Sequence, residues 1–345
     1  MNSLPKKVSV VYWNKWIIAE IGAMVCEVLG HLGYSVLPVD PNKPADPDAD
    51  VLLLLGDCLH FESFLKNYSR SAKTQRVVLW QVDPLPPPGI FGEIEKNGLR
   101  FVKYYLFAMN RSRRLRSVLK KGLSFLAGNV CNYGAVDTED YYQAVRRYFW
   151  LKANIPAGLI DDIYVSTIPK QKSLESMGIS SRFVPFGNHP FFGSRVLGIE
   201  RDIDVLFFGA AKLRRKIKLA RLKRELKKKG IKYVFTKGVF GKDRELLLNR
   251  SKLSLNLVNQ PWDFPGMRFQ FYMSCGSAVI SERLADTDPY VPGMHYASSD
   301  INNLADTIEL YSKDDNKRNG LVRAADELIS RHTLESSLLK ISERF

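Results

Sequence analysis

The sequence predicts an α/β protein made of two Rossmann-like layers, and three observations carry that reading. Runs such as VLLLLGD (51–57) and RVVLWQVD (76–83) are continuously apolar up to a closing acidic residue, as strands buried on both faces of a parallel sheet must be. These runs alternate with stretches whose apolar residues recur at three and four, the helical period. The alternation then starts again beyond a turn-rich stretch at 188–202, and 345 residues suffice for two cores of ordinary size.

KVSVVYW (7–13) predicts the first strand, WIIAEIGAMVCEVLGHLG an amphipathic helix and YSVLPVD a second strand. The Pro/Asp-rich PNKPADPDAD turns the chain into the two buried strands. Ligands bind at the C-terminal strand ends of a doubly wound sheet. Asp57, His60 and Asp83 are therefore candidates for a general base. DPLPPPG (83–89) reads as a rigid loop, and residues 99–150 as a basic helical excursion carrying Arg111, Arg113, Arg114, Arg116, Lys120 and Lys121. That excursion has two readings, a solvated helix face or a surface meeting anionic lipid or a charged acceptor. DDIYVST and SSRFVPFG supply two more strands around the helix IPKQKSLESMG, closing a first domain at 1–187, with 188–202 as linker. The second domain, 203–332, runs IDVLFFG, a basic helix, IKYVFT, KDRELLLNRS, KLSLNLVN, the helix of GMRFQFYMSCG, AVISE, GMHYA and a helix capped at Ser299–Asp300; a C-terminal helix occupies 333–345.

Composition is that of a globular protein, 45% apolar and 25% charged, and no run reaches the roughly 18 to 20 uncharged apolar residues of a membrane span. Lys6 and Lys7 lead directly into a strand with no leader-like apolar region, so a cytoplasmic protein is expected, with peripheral contact at an anionic membrane face as the sharper reading of the basic excursion. Cys26, Cys58, Cys131 and Cys275 form no C-x-x-C pair, and the five histidines have no metal-ligand spacing; reduced thiols, no metal and no resident cofactor are expected. The net charge of +15 is concentrated: residues 201–250 hold 17 Lys/Arg against 5 Asp/Glu, and residues 101–150 hold 9 against 3. Either patch suits nucleic acid, an anionic membrane or a phosphorylated small molecule.

DVLFFGAAKLRRKIKLARLKRELKKKG is a strand, a turn at Gly209 and a helix, an arrangement that aims helix N-terminal amides at an anion. Lys212, Arg214, Arg215 and Lys216 crowd the first turns, where cations oppose the helix dipole by roughly 0.3–1 kcal/mol each unless an anion is bound. The alternative is a helix basic throughout, since Lys227 to Lys229 carry the charge to its other end. No G-x-G-x-x-G or G-x-x-x-x-G-K-[ST] pattern is present, which argues against dehydrogenase and P-loop readings.

The ordered series DDIYVSTIPKQKSLESMGISSRFVPFGNHPFF, RDIDVLFFGAAKLRR, LLNRSKLSLNLVNQ, MRFQFYMSCGSAVISE and PGMHYASSDINNLADTI resembles the C-terminal part of bacterial glycosyltransferases of the GT-B fold, nearest to the spore-maturation CgeB type. The resemblance runs from about Ile160 to His332. It implies two Rossmann-like domains facing across a cleft, a nucleotide diphosphate sugar as co-substrate held mainly by the second, no metal, and a role in polysaccharide biosynthesis. Carried over by position, Gly209 and Arg214 or Arg215 lie by the diphosphate and Arg268 is a further phosphate or sugar contact. Asn256 ends a strand facing the cleft, and Ser274, Cys275 and Gly276 line the donor pocket. Many retaining members place two acidic residues with seven between them; Asp263 takes the first position, but the second falls at Phe271, which leaves Gln270 or Glu282 to meet the ribose, or a donor bound in a different way.

Three functions follow. The leading one is transfer of a sugar from a nucleotide diphosphate to a glycan, lipid-linked or protein acceptor, with cationic groups stabilising the leaving diphosphate. The others are a non-catalytic relative that binds nucleotide or glycan, and a nucleic-acid binder acting through the basic patches, although no nucleic-acid module is recognisable.

Overall fold

A computed structural model describes residues 6–44, 46–68, 75–86, 138–210, 213–258, 260, 262–264 and 266–345. Most of the basic excursion lies outside the described residues, as do Lys212 and Cys131. The chain divides into two units, residues 1–185 with 335–345, and residues 186–334.

Among the described residues of the first unit, β1 (Lys7–Val11), β2 (Ser35–Val39), β3 (Val51–Gly56), β4 (Arg76–Gln81), β5 (Asp162–Val165) and β6 (Arg182–Phe183) form one parallel sheet in the order β2-β1-β3-β4-β5-β6. All six residues of β3 are buried, which explains their unbroken apolar run. α1 (Trp16–His31) buries Ile21, Met24, Val25, Val28 and Leu29, an i, i+3, i+4, i+7, i+8 stripe. α2 (Glu62–Asn67), α3 (Thr138–Asn154) and α4 (Ile168–Ser176) follow in chain order. The sequence direction reverses between β1 and β3, so the loops leaving those strands lie side by side at the C-terminal edge.

The second unit repeats the plan. β7 (Ile203–Phe208), α5 (Leu213–Lys228), β8 (Tyr233–Thr236), α6 (Gly241–Asn249), β9 (Ser251–Asn256), α7 (Gly266–Ser274), β10 (Ala278–Glu282) and β11 (Ala297–Ser299) alternate, and the strands form a parallel sheet ordered β11-β10-β9-β7-β8. Its core joins Val205, Phe207, Leu253, Leu255 and Ile280 of the sheet to Leu219, Leu222 and Leu226 of α5. Here the reversal point lies between β7 and β9.

Three expectations shift. Residues 188–202 belong to the second unit rather than linking the two, because the Ser194 amide and Val196 amide donate to Glu245 (2.9 Å) and Asn249 (2.8 Å) of α6. Ser299 ends β11 instead of capping a helix; α8 (Leu304–Lys313) starts after Asn303. Beyond α9 (Asp315–Arg331), the last helix, α10 (Leu334–Ser342), runs almost wholly within the first unit, where Ser337 Oγ donates to Pro185 O at 2.8 Å.

Candidate functional site

The reversal point of the second sheet brings together the turn after β7 and the loop after β9. Gly209 leaves β7 at φ +141, a conformation side chains rarely adopt, and its amide donates to Thr236 O at 3.1 Å. The bare turn faces two guanidinium groups: a Cβ placed on Gly209 would lie 3.7 Å from Arg268 Nη2 and 3.9 Å from Arg215 Nη1.

Arg268 stands in the first turn of α7 and is half-buried. Its Nη1 donates to Asn256 Oδ1 (3.0 Å) and Leu257 O (3.2 Å). Asn256 is itself held, its Nδ2 donating to Ser281 Oγ at 2.9 Å and its side chain fully buried. Nη2 and Nε make no hydrogen bond, and no carboxylate pairs with Arg268, among the described residues. The guanidinium is thus fixed by one nitrogen and presents the other toward Gly209, a geometry suited to gripping an anion.

Arg215 behaves differently. It is 4% exposed, its Nη1 donates to Ala210 O (2.5 Å) and its Nη2 to Leu257 O (2.6 Å), and its guanidinium lies 5.6 Å from the centre of the Phe207 ring. It ties the turn after β7 to the loop after β9. Leu257 O therefore accepts from two cations, which repel each other. The periodicity that finds the core shows why Arg215 is inside: 215, 219, 222 and 226 fall on one stripe of α5. The side chain of Arg214 lies outside the described residues.

The other donor-side candidates separate. Glu282 ends β10 with Oε1 accepting from the Val258 amide (2.6 Å) and Oε2 from Lys218 Nζ, so both oxygens are engaged and it is not open to a ribose. Gln270 is buried, donating from Nε2 to Phe186 O (3.1 Å) and to Tyr290 Oη, on the packed side of α7. Asp263 is buried in the loop before α7, where Oδ1 accepts from the Phe264 amide at 2.7 Å. Phe271 is buried under the Arg244 guanidinium, 4.1 Å above its ring, with Phe192 edge-on at 4.8 Å. An aromatic face holding a buried cation thus occupies the position where a carboxylate was sought.

Ser274, Cys275 and Gly276 do not reach Gly209. They end α7 as a Schellman cap, with the Ser277 amide donating to Tyr272 O (3.0 Å) and the Gly276 amide to Met273 O (2.8 Å). Because α7 runs back to start β10, this cap sits at the N-terminal edge of the sheet, opposite the turn after β7. Gly276 is required there by φ +65. Arg201, just before β7, donates to Cys275 O at 2.8 Å. Burial, above all, pushes the Cys275 thiol up to about 12, so it is inert at neutral pH.

In the first unit the reversal point holds Trp13 and His60, whose ring centres lie 4.1 Å apart. Asp57 is not a free base. Its Oδ1 accepts from Arg147 Nε (2.8 Å) and the Leu59 amide (3.1 Å), and its Oδ2 from Arg147 Nη2 (2.6 Å), with both side chains 8% exposed. Burial pushes the carboxyl up, but Arg147 and the Leu59 amide outweigh it and leave it below its ordinary value. Burial chiefly pulls His60 below the ordinary histidine value, against Asp57, so at neutral pH it is an uncharged proton acceptor. The Asp83 carboxylate is 43% exposed, 3.9 Å from Arg147 Nη2. Arg147, Ser281 and Arg244 escaped the sequence reading; an apolar helix period marks which positions are inside but not which buried cation meets which acceptor.

Comparison with known proteins bears on the fold. Residues 201–342, less than half the chain, match the family model described as glycosyl transferase-like. No curated protein matches. Over the whole chain the fold is similar to the sucrose-phosphate synthase of Thermosynechococcus elongatus (TM-score 0.59, 10% identity, 98% of each chain covered). It is similar too to HepE of Anabaena in complex with UDP-glucose (0.56, 10%, 98% of each). A third likeness is AviGT4, a glycosyltransferase involved in avilamycin A biosynthesis (0.55, 11%, 98% of this chain and 96% of that one). The fold is that of GT-B glycosyltransferases, with two parallel Rossmann-like sheets.

Proposed function

We propose that the chain is a glycosyltransferase that moves a sugar from a nucleotide diphosphate, bound at the reversal point of the second sheet, to a glycan, lipid-linked or protein acceptor. The observation that carries this reading is Arg268, anchored by Nη1 on Asn256 and Leu257 O and presenting Nη2 toward the bare turn at Gly209. As the sugar–phosphate bond breaks, charge accumulates on the leaving diphosphate, and a preorganised guanidinium stabilises that charge more than it stabilises the intact donor. The start of α7 and the Arg215 charge behind Arg268 add to the same field, so the reaction runs without a metal. The match of the second unit to a glycosyl transferase-like family and the likeness to a UDP-glucose complex support the same reading. The order of motifs favours the CgeB type and polysaccharide biosynthesis. On the acceptor side, His60 is the base of choice for an inverting course, since Asp57 is locked to Arg147.

A second reading, donor binding without turnover, is favoured by one observation: Phe271 and Arg244 fill the place of a ribose-binding carboxylate. Incubating the protein with a panel of nucleotide sugars and acceptors, and measuring release of nucleoside diphosphate, separates the two. Arg268→Ala is expected to lower kcat/KM by about 10²–10³ in a protein that still folds, as circular dichroism would report. Normal turnover by that variant overturns the site; tight donor binding with no turnover on any acceptor supports the second reading.

A further inference from the structure

The exposed face of α5 carries an unbalanced charge that the proposed chemistry does not use. Within Leu213–Lys228 stand nine Lys/Arg (214, 215, 216, 218, 221, 223, 224, 227, 228) and one acidic residue, Glu225, a net +8 out of the chain's +15. Arg215 is buried and Lys218 pairs with Glu282. The exposed arc comprises Lys216, Ile217, Ala220, Arg221, Lys223, Arg224, Lys227 and Lys228. Of its cations, Lys228 pairs with Glu225, Arg221 donates to the neutral Asn302 at 3.0 Å, and the Lys223 ammonium lies 5.5 Å from the Phe235 ring. Lys216, Arg224 and Lys227 have no ion pair or hydrogen bond among the described residues. Solvated faces elsewhere mix signs: α9 sets Lys317, Arg318, Arg323 and Arg331 beside Asp315, Asp326 and Glu327.

We infer that this face docks the second unit on an anionic lipid bilayer. At about 100° per residue Lys216, Lys223 and Lys227 share one line about 17 Å long, with Arg224, Lys228 and Arg221 on the flank beside it, so a flat anionic surface meets several charges along the helix at once. Each such residue near an anionic leaflet adds to the attraction, and the effect falls off within a Debye length. Ile217, 63% exposed beside Lys216 at the N-terminal end of this face, supplies an apolar contact at headgroup depth. Nucleic acid fits less well. The arc has no aromatic residue on which a base could stack.

The test is sedimentation of the full chain with vesicles of phosphatidylcholine alone or mixed with phosphatidylglycerol, at low and physiological salt. Binding to the anionic vesicles only, weakened by salt, is expected. The K216E/R224E/K227E variant should lose affinity roughly tenfold or more, whereas reversing Lys43, Lys66 and Lys340, an equal change in net charge, should not. K216Q/R224Q/K227Q, which introduces no new charge, should lose part of the binding, and circular dichroism reports whether each variant is folded. The inference is overturned if the wild type ignores anionic vesicles, if the two charge-reversal variants bind alike, or if the chain instead retains a labelled duplex or single strand at physiological salt in preference to vesicles.

Discussion

At the scale of the residue, neighbouring arginines have opposite duties, and the difference lies in what their nitrogens already hold. Arg215 fills its Nη groups with Ala210 O and Leu257 O and is buried, so it is a clamp between loops; Arg268 keeps Nη2 outward. Replacing Arg215 with alanine leaves those carbonyls without the donor, and a loss of about 1–3 kcal/mol in urea unfolding is expected. Lysine at the same position reaches only one carbonyl and should recover part of that loss. Asp57 and Arg147 follow the same logic in the first unit. Asp57→Asn strands a buried cation, for an expected cost of roughly 3–5 kcal/mol. The carboxyl is held below its ordinary value of 3.8 in the folded protein. Its stabilisation is therefore complete above that pH and lost as the pH falls through the lower, folded value. Urea unfolding of wild type and Asp57→Asn as a function of pH should show a gap that is constant near neutrality and closes in acid.

At the scale of the element, α7 shows why GMRFQFYMSCGS carries an arginine inside an apolar run. The helix connects the C-terminal edge of β9 to the N-terminal edge of β10, so its two ends serve opposite edges of the sheet. Arg268 belongs to the first turn, at the C-terminal edge of the sheet, Phe269 to Met273 to the core and Ser274 to Ser277 to the cap. The Ser-Cys-Gly motif was legible as a feature, but its position was not, because position depends on which way the helix crosses the sheet. Gly276→Ala forces a side chain into φ +65, with its Cβ 2.9 Å from Arg195 Cδ. The expected loss is about 1–2 kcal/mol from backbone strain, read as a lower melting temperature, with donor affinity unchanged. A donor-pocket role for Gly276 would instead weaken binding at constant stability.

At the scale of the whole molecule, the second unit binds the nucleotide in the proposed scheme, so ligand linkage should report there. A nucleoside diphosphate at 100 times its Kd should stabilise that unit by about 2.7 kcal/mol. Hydrogen exchange should slow in residues 205–209, 255–258 and 266–270, with no protection in 57–60. Protection confined to 57–60 would place the nucleotide on the wrong sheet.

The sequence alone determined the secondary-structure alternation, the two parallel layers and the placing of Gly209, Asn256 and Arg268 at strand and helix ends, because buried parallel strands and helix stripes must show their period in composition. It also singled out the basic helix after β7. Only the tertiary structure decided what each polar side chain is for. Asp57, Glu282, Gln270 and Arg215 read as candidates because their types suit chemistry, yet each is engaged by a partner distant in sequence: Arg147, Val258, Tyr290 and Leu257. Those pairings are set by loops converging in space, and a one-dimensional period carries no record of them.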